Sequence, residues 1–230
     1  MKWKLSLFLL MNTRKCREIE MPEQKVILIG AGGHAASVSD SANMAGIQIV
    51  GYVDEVKTGR YLGRTIFKRI EDIPDYRSYL YHIAIGSCVA RERWYQYIKR
   101  LCLPFINIID PSAIVADSAL IGNGNFIGKF TTVIAGSVIG DNNIINTKAL
   151  VEHECRVGNH VNLSTCSILN GDVVVEDKVF LGSAALCNGQ IKLGEGCIVG
   201  SGSVVLHDVD AHSKVVGVPA RVIERGVQPL

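Results

Sequence analysis

The sequence predicts two regions of different architecture: an α/β N-terminal domain with a Rossmann-like βαβ unit, followed by a parallel β-helix of hexapeptide repeats. Two observations carry this prediction. A β-branched run at Lys25–Ile29 ends in a glycine-rich turn, and from Ile109 onward an aliphatic residue recurs at every sixth position. The first pattern is typical of a strand–turn–helix unit, and the second is typical of a repeat solenoid.

The N-terminal domain is expected to cover residues 25–108. Its first turn contains the pattern Gly30-x-Gly32-x-x-Ala35, and Asp54 follows at the end of a second predicted strand. This arrangement is close to a dinucleotide-binding fingerprint, in which the acidic residue contacts a ribose. Unpaired N–H groups at a helix N-terminus bind any phosphate or carboxylate. Because the domain has room for one such half only, we expect a single nucleotide-sized or sugar-sized ligand.

The period of six covers 17 positions from Ile109 to Val205, and 16 of them are aliphatic, Cys187 being the exception. Each hexapeptide forms one side of a triangular coil, so that residues 18 apart in the sequence stack above one another. The aliphatic residue faces the interior, and the glycine that often follows it is expected to let the backbone turn the corner. We expect the β-helix over residues 109–206 and a C-terminal tail over residues 207–230.

His153 and Gly171 are 18 residues apart, which places an imidazole next to the backbone of a glycine one coil further on. An imidazole can remove a proton from a nucleophile, and a backbone N–H can stabilise an oxyanion. Glu154 follows directly and would raise the basicity of His153 where the turn brings them together. The alternative is that His153 is an ordinary solvated histidine on the surface of the coil.

Composition argues against several classes of function. The chain of 230 residues carries 24 Lys and Arg against 22 Asp and Glu, and aromatic residues make up 7%. Nucleic acid and anionic membranes are therefore not expected as main partners. The seven cysteines include no C-x-x-C pair, which predicts reduced thiols in the cytoplasm. His153 and His160 lie out of phase in the repeat, so we expect no metal.

Residues 1–24 precede the first predicted strand and are expected to form an N-terminal extension that is not ordered. Its apolar run, Leu5–Met11, is far shorter than the roughly 20 residues that span a bilayer, so we expect no membrane span. Basic residues flank this run, which leaves an export signal as one interpretation. No A-x-A cleavage site follows, and we favour a translation start at Met11 or Met21.

Residues 25 to about 225 resemble the NeuD/PglD family of bacterial sugar acetyltransferases. The matching stretches are KVILIGAGGH, IAIGS, LVEHECRVG, LNGDV and VVGVPARVI. The resemblance implies a left-handed β-helix, an acyltransferase that takes acetyl-CoA as its co-substrate, and a sugar or nucleotide-sugar acceptor. It also implies a homotrimer in which two subunits share each active site, and a product used for cell-surface polysaccharide.

The same resemblance implies roles for individual residues. His153 corresponds to the general base, Glu154 to the acid that tunes it, and Gly171 to the glycine whose N–H faces the thioester oxygen. The positions that bind the acceptor correspond to Gly32, Gly33, His34, Asp54, Glu55 and Gly86. The positions that contact acetyl-CoA correspond to Asn162, Ser183 and Ser201.

Two acceptors stay open. N-acetylating members often carry a second histidine where this chain has Asn162, and the stretch 162–172 is more similar to the sialic acid O-acetylating branch. His34, in the GGH loop, favours the nucleotide-sugar branch instead. We predict transfer to a hydroxyl of a sialic-acid-type sugar, with N-acetylation of a UDP-linked 4-amino-dideoxy sugar as the alternative.

Two interpretations from other classes are a non-catalytic β-helix scaffold with a nucleotide-sensing domain and an NAD-dependent oxidoreductase. The scaffold would make His153 an ordinary surface residue. The oxidoreductase would use the Gly30 loop, but it lacks a second dinucleotide-binding half and leaves the β-helix without a role.

Overall fold

The computed structural model describes residues 24–230, in which an α/β domain precedes a left-handed β-helix. The predicted fold class is confirmed in both parts. Our predictions for the N-terminal extension lie, apart from Gln24, outside the described residues. Between residues 24 and 230, no helix has both the length and the apolar character that crossing a membrane requires.

The α/β domain is built on a five-stranded sheet with the strand order β3–β4–β2–β1–β5. Its strands are β1 (Lys25–Ile29), β2 (Gln48–Val53), β3 (Gly59–Tyr61), β4 (Arg64–Phe67) and β5 (Leu80–Ile83), and its helices are α1 (Gly33–Met44) and α2 (Cys88–Arg100). Two short 3₁₀ helices lie at Ile70–Asp72 and Tyr76–Ser78. Only the β3–β4 pair is antiparallel. The carboxyl ends of β1, β2, β4 and β5 therefore meet at one edge, where α/β folds bind ligands.

Seventeen two-residue strands, β6 to β22, form the coils of the β-helix and begin every six residues. They are β6 (Ile108–Ile109), β7 (Ile114–Val115), β8 (Leu120–Ile121), β9 (Phe126–Ile127), β10 (Thr132–Val133), β11 (Val138–Ile139), β12 (Ile144–Ile145), β13 (Leu150–Val151), β14 (Arg156–Val157), β15 (Asn162–Leu163), β16 (Ile168–Leu169), β17 (Val174–Val175), β18 (Phe180–Leu181), β19 (Leu186–Cys187), β20 (Lys192–Leu193), β21 (Ile198–Val199) and β22 (Val204–Val205).

These strands stack into three parallel sheets, which we call faces 1, 2 and 3. Face 1 contains β6, β9, β12, β15, β18 and β21, face 2 contains β7, β10, β13, β16, β19 and β22, and face 3 contains β8, β11, β14, β17 and β20. We name each corner by the faces that it joins, in chain order. The second residue of each strand is the aliphatic position predicted from the sequence, and from Ile127 to Val205 it is at most 4% exposed.

The corners differ from our prediction in the residue that makes the turn. The third residue after the interior position adopts the left-handed conformation, with φ between 55° and 63° at non-glycine residues such as Glu154 and Asp172. The N–H of Asp172 donates to the carbonyl of His153 one coil below, at 2.9 Å, and such bonds offset the cost of that conformation. The glycine after the interior residue prevents a clash instead. A Cβ on Gly182 would lie 2.5 Å from the backbone nitrogen of Ser201.

The predicted C-terminal tail, residues 207–230, contains two more strands, which extend face 1. β23 (Ser213–Gly217) pairs in parallel with β21, and β24 (Ala220–Arg225) pairs antiparallel with β23. Ile198 pairs with Lys214, which is 16 residues further on, whereas Phe180 pairs with Ile198 after 18. The coil therefore continues after the hexapeptide frame has ended, which is why the period alone stopped short of these strands.

The α/β domain packs against face 1 of the β-helix. Phe126 and Ile144, on the outer side of face 1, share one apolar cluster with Val26 and Leu28 of β1. A separate polar contact, which we call the Ser41 contact, joins α1 to the first coil. In it, Ser41 Oγ donates to the buried carboxylate of Asp110 at 2.6 Å. These two contacts contribute to the placement of the sheet edge relative to the coils.

Candidate active site

A cleft of about 360 Å³, which we call the acceptor cleft, lies at the carboxyl ends of β1, β2 and β5. The loop after β1 begins at Gly30, whose φ of +101° is one that residues with a side chain rarely adopt. The structure brings together all six residues that the resemblance assigned to the acceptor, since the lining includes Gly32, Gly33, His34, Asp54, Glu55 and Gly86.

Asp54 holds the glycine-rich loop in place. Its Oδ2 accepts from the N–H of Ala31 at 3.0 Å, and its Oδ1 accepts from the N–H groups of Val56 and Lys57. Partial burial acts to raise the pKa of the Asp54 carboxyl, but these backbone bonds, from Lys57, Val56 and Ala31, together lower it. The fingerprint predicted a contact to ribose, whereas in the structure the carboxylate bonds the protein's own backbone.

His34 is a neutral imidazole at the wall of the acceptor cleft. Burial lowers its pKa to about 3, and the nearby His82 and Arg91 act in the same direction. The ring lies edge-to-face with Phe126 of face 1, at 5.2 Å between centroids. Its Nε2 is buried and has no hydrogen-bond partner among residues 24–230. Buried polar atoms rarely stay unpaired, so this atom is a candidate contact for a bound ligand.

A second cleft, of about 510 Å³, adjoins the first and shares Glu55, Arg93 and Trp94 with it. Lys68, Arg69, Tyr97 and Arg100 complete its lining, so that four cationic side chains face one carboxylate. Asp72 pairs with Arg69 and reduces this excess of positive charge. The remaining charge favours an anionic ligand. Sequence reasoning missed this cleft because its residues come from α2 and from the loop after β4.

His153 and Gly171 meet at corner 2–3, as their spacing predicts. A Cβ placed on Gly171 would lie 2.5 Å from both Cε1 and Nε2 of His153, so only glycine leaves room for the ring. The N–H of Gly171 makes no hydrogen bond within residues 24–230. One coil further on, Gly189 has no room for a side chain either, since a Cβ there would lie 3.0 Å from the carbonyl oxygen of Gly171. The imidazole thus lies beside an unpaired backbone donor.

Glu154 lies beside His153, with 3.4 Å between its Oε2 and His153 Nδ1. A carboxylate at Nδ1 favours the tautomer in which Nδ1 carries the proton and Nε2 can accept one. Both side chains are more than half exposed. An exposed pair of this kind contributes little to stability.

The three residues predicted to contact acetyl-CoA lie away from His153 within one chain. Ser183 and Ser201 are exposed on successive coils of corner 1–2. Asn162 is 7% exposed on face 1, and its Nδ2 donates to the carbonyl of Gly86 at 3.3 Å. The fold therefore places Asn162 beside the acceptor cleft, while His153 lies at another corner of the β-helix.

His160, which the sequence analysis considered as a metal ligand, is engaged inside the protein. It is 5% exposed, and its Nδ1 accepts from Asn142 Nδ2 at 2.8 Å. Across residues 24–230, no group of three or more His, Cys, Asp or Glu side chains could hold a metal ion.

Arg91 was not singled out by the sequence, although it is 1% exposed at the domain interface. Its guanidinium donates to backbone carbonyls and to no carboxylate. An acidic residue three or four positions from Arg91 would have indicated a buried ion pair, and the sequence has none there.

Two family models match the chain: PglD N-terminal domain at residues 25–98, and Bacterial transferase hexapeptide (six repeats) at residues 118–153. PerB from Caulobacter crescentus, solved with CoA and GDP-perosamine, is 32% identical with a TM-score of 0.83, covering 87% of this chain and 97% of PerB. The acetyltransferase domain of PglB from Neisseria gonorrhoeae is 28% identical with a TM-score of 0.84, covering 87% and 100%.

Among curated proteins, Uncharacterized protein L142 of Acanthamoeba polyphaga mimivirus is 37% identical over 113 residues. That match spans 49% of this chain and 23% of the viral protein.

The α/β domain, the left-handed β-helix and the similarity to PerB and the PglB domain define a hexapeptide-repeat acyltransferase. The chain belongs to the NeuD/PglD family of sugar acetyltransferases. This membership does not support the interpretations as a non-catalytic scaffold or as an NAD-dependent oxidoreductase.

Proposed function

We propose that the protein transfers an acetyl group from acetyl-CoA to the amino group of a nucleotide-linked amino sugar. The observation that carries acyl transfer is the His153 imidazole against Gly171, whose N–H has no other partner in the described chain. PerB holds CoA and GDP-perosamine, and the gonococcal PglB domain has also been solved with acetyl coenzyme A. These relatives support a CoA thioester as donor and a nucleotide-linked sugar as acceptor.

The two adjoining clefts support an acceptor larger than a free sugar. The acceptor cleft continues past the ion pair of Arg93 and Glu55 into the cationic second cleft. The loop at Gly32 and Gly33 presents the start of α1, where N–H groups bind phosphate. A nucleoside diphosphate sugar needs both a sugar site and room for a charged nucleotide, and this surface supplies both.

The chemistry is direct transfer. His153 removes a proton from the amine as the amine nitrogen attacks the thioester carbon, and the carbonyl oxygen becomes negative. The N–H of Gly171 stabilises that charge. The carbon–sulfur bond then breaks, and the protonated His153 returns a proton to the departing thiolate. No acyl-enzyme is needed, and burial raises the pKa of Cys187 and Cys197 to about 12, so these thiols are poor nucleophiles.

We further propose that the complete site forms between two copies in a homotrimer. One chain leaves its acceptor cleft beside face 1 and its His153 at corner 2–3. The outer side of face 2 carries an apolar stripe that its own chain does not bury, formed by Ile114, Leu150, Ile168, Leu186 and Val204 with Thr132. A second copy seated on this stripe would bury it and bring an acceptor cleft next to His153.

O-acetylation of a sialic-acid-type sugar is the second candidate, and Asn162 favours it. Its Oδ1 is buried without a partner among the described residues, and its Nδ2 reaches Gly86 of the acceptor cleft. An amide can bond a hydroxyl or a carboxylate of a free sugar, and it cannot titrate as a second histidine would.

Release of coenzyme A, followed with a thiol reagent, tests the acceptor. UDP-linked and GDP-linked 4-amino sugars are compared in parallel with free sialic acids. We expect turnover with a nucleotide-linked amino sugar and none with a sialic acid. Turnover with a sialic acid alone would establish the second candidate instead. If neither acceptor gives turnover while acetyl-CoA binds, both proposed acceptors are rejected, and the assignment of the fold is unaffected.

We place the reaction in the cytoplasm, on a route to cell-surface polysaccharide. The six cysteines within residues 24–230 are all free thiols, including the exposed Cys102 and Cys166. A reducing compartment preserves exposed thiols. Cell fractionation against a cytoplasmic marker enzyme tests this placement.

A further inference from the structure

Arg91 is the one Lys or Arg side chain that is buried within residues 24–230. Its guanidinium donates five hydrogen bonds of 2.7–3.1 Å, all to backbone carbonyls, which belong to Ile85, Gly86, Asn142, His160 and Val161. A weaker contact of 3.6 Å reaches the sulfur of Cys88. The positive charge therefore faces oxygen dipoles from every side and no carboxylate.

The five carbonyls come from two separate parts of the fold. Ile85 and Gly86 follow β5 and line the acceptor cleft. Asn142 and His160–Val161 lie on successive coils of corner 3–1 in the β-helix. Asn142 also returns a bond, from its Nδ2 to the carbonyl of Arg91 at 3.1 Å. One guanidinium thus connects a wall of the acceptor cleft to the β-helix.

A buried charge without an ionic partner is costly, and burial lowers the pKa of Arg91 accordingly. An apolar side chain of similar size could fill this space without that cost. The planar guanidinium offers what an apolar side chain and an ammonium lack, because its five N–H groups point in fixed directions within one plane. The Arg91 guanidinium therefore fixes the relative positions of its carbonyl partners, which a side chain that only filled the space would not do.

We propose that Arg91 is a positioning residue for the acceptor: it holds the Ile85–Gly86 wall of the acceptor cleft at a set distance from corner 3–1 of its own β-helix. Arg91 itself lines neither cleft. The proposal rests on the function proposed above only in taking this cleft as the acceptor site.

The expected signature is a selective loss on the acceptor side. Arg91→Lys keeps the charge and most of the length but cannot bond two sets of carbonyls in one plane. Misplacement by about 1 Å can cost roughly a hundredfold, so we expect kcat/KM for the acceptor to fall about tenfold to a hundredfold. The KM for acetyl-CoA should stay within about twofold, because Ser183 and Ser201, the positions at corner 1–2 that the resemblance assigns to acetyl-CoA, take no part in the Arg91 contact.

Ser41→Ala is the matched control, because it weakens a different polar contact between the domains and Ser41 lines neither the acceptor cleft nor the second cleft. We expect this variant to lower Tm and leave the acceptor KM unchanged. If Arg91→Lys behaves like Ser41→Ala, losing Tm with no change specific to the acceptor, Arg91 is merely structural and the proposal is overturned.

Two readouts separate this proposal from the proposed function. Calorimetry with UDP, GDP and acetyl-CoA measures binding without turnover. If the wild-type protein binds neither nucleotide, that result contradicts the nucleotide-linked acceptor and leaves the role of Arg91 untouched. Amide hydrogen exchange of residues 84–88 needs no ligand. We expect Arg91→Lys to accelerate exchange there and to leave residues 168–174 unchanged. If Arg91→Lys changed the exchange rate of the two segments by the same factor, or changed neither, the role of Arg91 would be overturned whatever the acceptor is.

Discussion

His153 depends on two neighbours for its proposed role. Gly171 leaves space for the ring by having no Cβ, and Glu154 orients the ring through Nδ1. Neither contact is deep in the protein, since the side chains of His153 and Glu154 are 58% and 72% exposed. Activity at this corner should therefore be separable from folding.

Gly171→Ala should lower turnover almost as far as His153→Ala, roughly 10²–10⁴-fold as for a lost general base. The new methyl group would occupy the position of the imidazole, and the exposed ring would swing away while the fold stays intact. Steady-state kinetics and Tm measure the two effects. Asp172→Ala is the control, because Ala184 adopts the same left-handed corner conformation. Full turnover in Gly171→Ala would contradict the mechanism.

His82 makes stability depend on pH. It is fully buried, its Nδ1–H donates to the carbonyl of Ile106 at 3.1 Å, and burial lowers its pKa from 6.5 to about 4. The unfolded chain takes up this proton below pH 6.5, whereas the folded protein does so only near pH 4. The free energy of unfolding should therefore fall between these values, by on the order of 2 kcal/mol at pH 5.

Chemical denaturation at pH 7 and pH 5 measures this loss in the wild-type protein. In His82→Phe, which cannot titrate, the difference between the two pH values should shrink. His207→Asn, at an exposed position, serves as the control and should keep the wild-type difference. An unchanged difference in His82→Phe would show that other groups cause the acid sensitivity.

At the scale of the elements, each coil needs close backbone contact with the next. The glycine after the interior residue provides this contact, while the left-handed corner residue two positions later accepts many side chains. At a corner such as that of Gly182 and Ala184, glycine is therefore required directly after the interior residue, whereas the left-handed position of the same corner accepts a residue with a side chain.

Gly182→Ala should destabilise the β-helix by about 1–3 kcal/mol or more, the usual cost of overpacking a close-packed interior. The added methyl group would meet the backbone of the following coil at Ser201, Gly200 and Val199, which cannot move aside as a side chain can. Gly202→Asn is the matched control, since no atom lies within 4 Å of a Cβ there and Asn142 adopts the same conformation. Equal Tm values for the two variants would refute this role of glycine.

At the scale of the whole molecule, one chain separates the two halves of its proposed site. The acceptor cleft lies beside face 1, and His153 lies at corner 2–3. The homotrimer proposed above would unite one half from each of two copies at the apolar stripe on face 2.

Mixing two inactive variants tests this arrangement. His153→Ala removes the base, and Gly33→Phe fills the acceptor cleft at a position where a Cβ meets no atom within 4 Å. Co-expression should restore activity to about one quarter of the sites. In random assembly, that is the fraction of sites whose cleft comes from His153→Ala and whose His153 comes from Gly33→Phe. Two copies of the same variant are the control. No recovery in mixed trimers of confirmed mass would place both halves of the site in one chain.

The sequence by itself determined the β-helix and the pairing of His153 with Gly171. A hydrophobic period of six and a coil of 18 residues dictate which residues stack, so the contact was predictable before any coordinates. The sequence also predicted that the residues of the acceptor loop lie together, because Gly30 to His34 and Asp54 follow strands that end at the same edge of a parallel sheet.

Only the tertiary structure decided how the two domains meet. Arg91 bonds carbonyls that lie up to 70 positions away, and carbonyls have no signature in a sequence. The position of Asn162 beside Gly86 depends on the same docking. The second cleft and the orientation of the Asp54 carboxylate toward its own loop depend on packing within the α/β domain. Periodicity specifies contacts that repeat, whereas these contacts occur once, between surfaces whose fit depends on the shape of the whole fold.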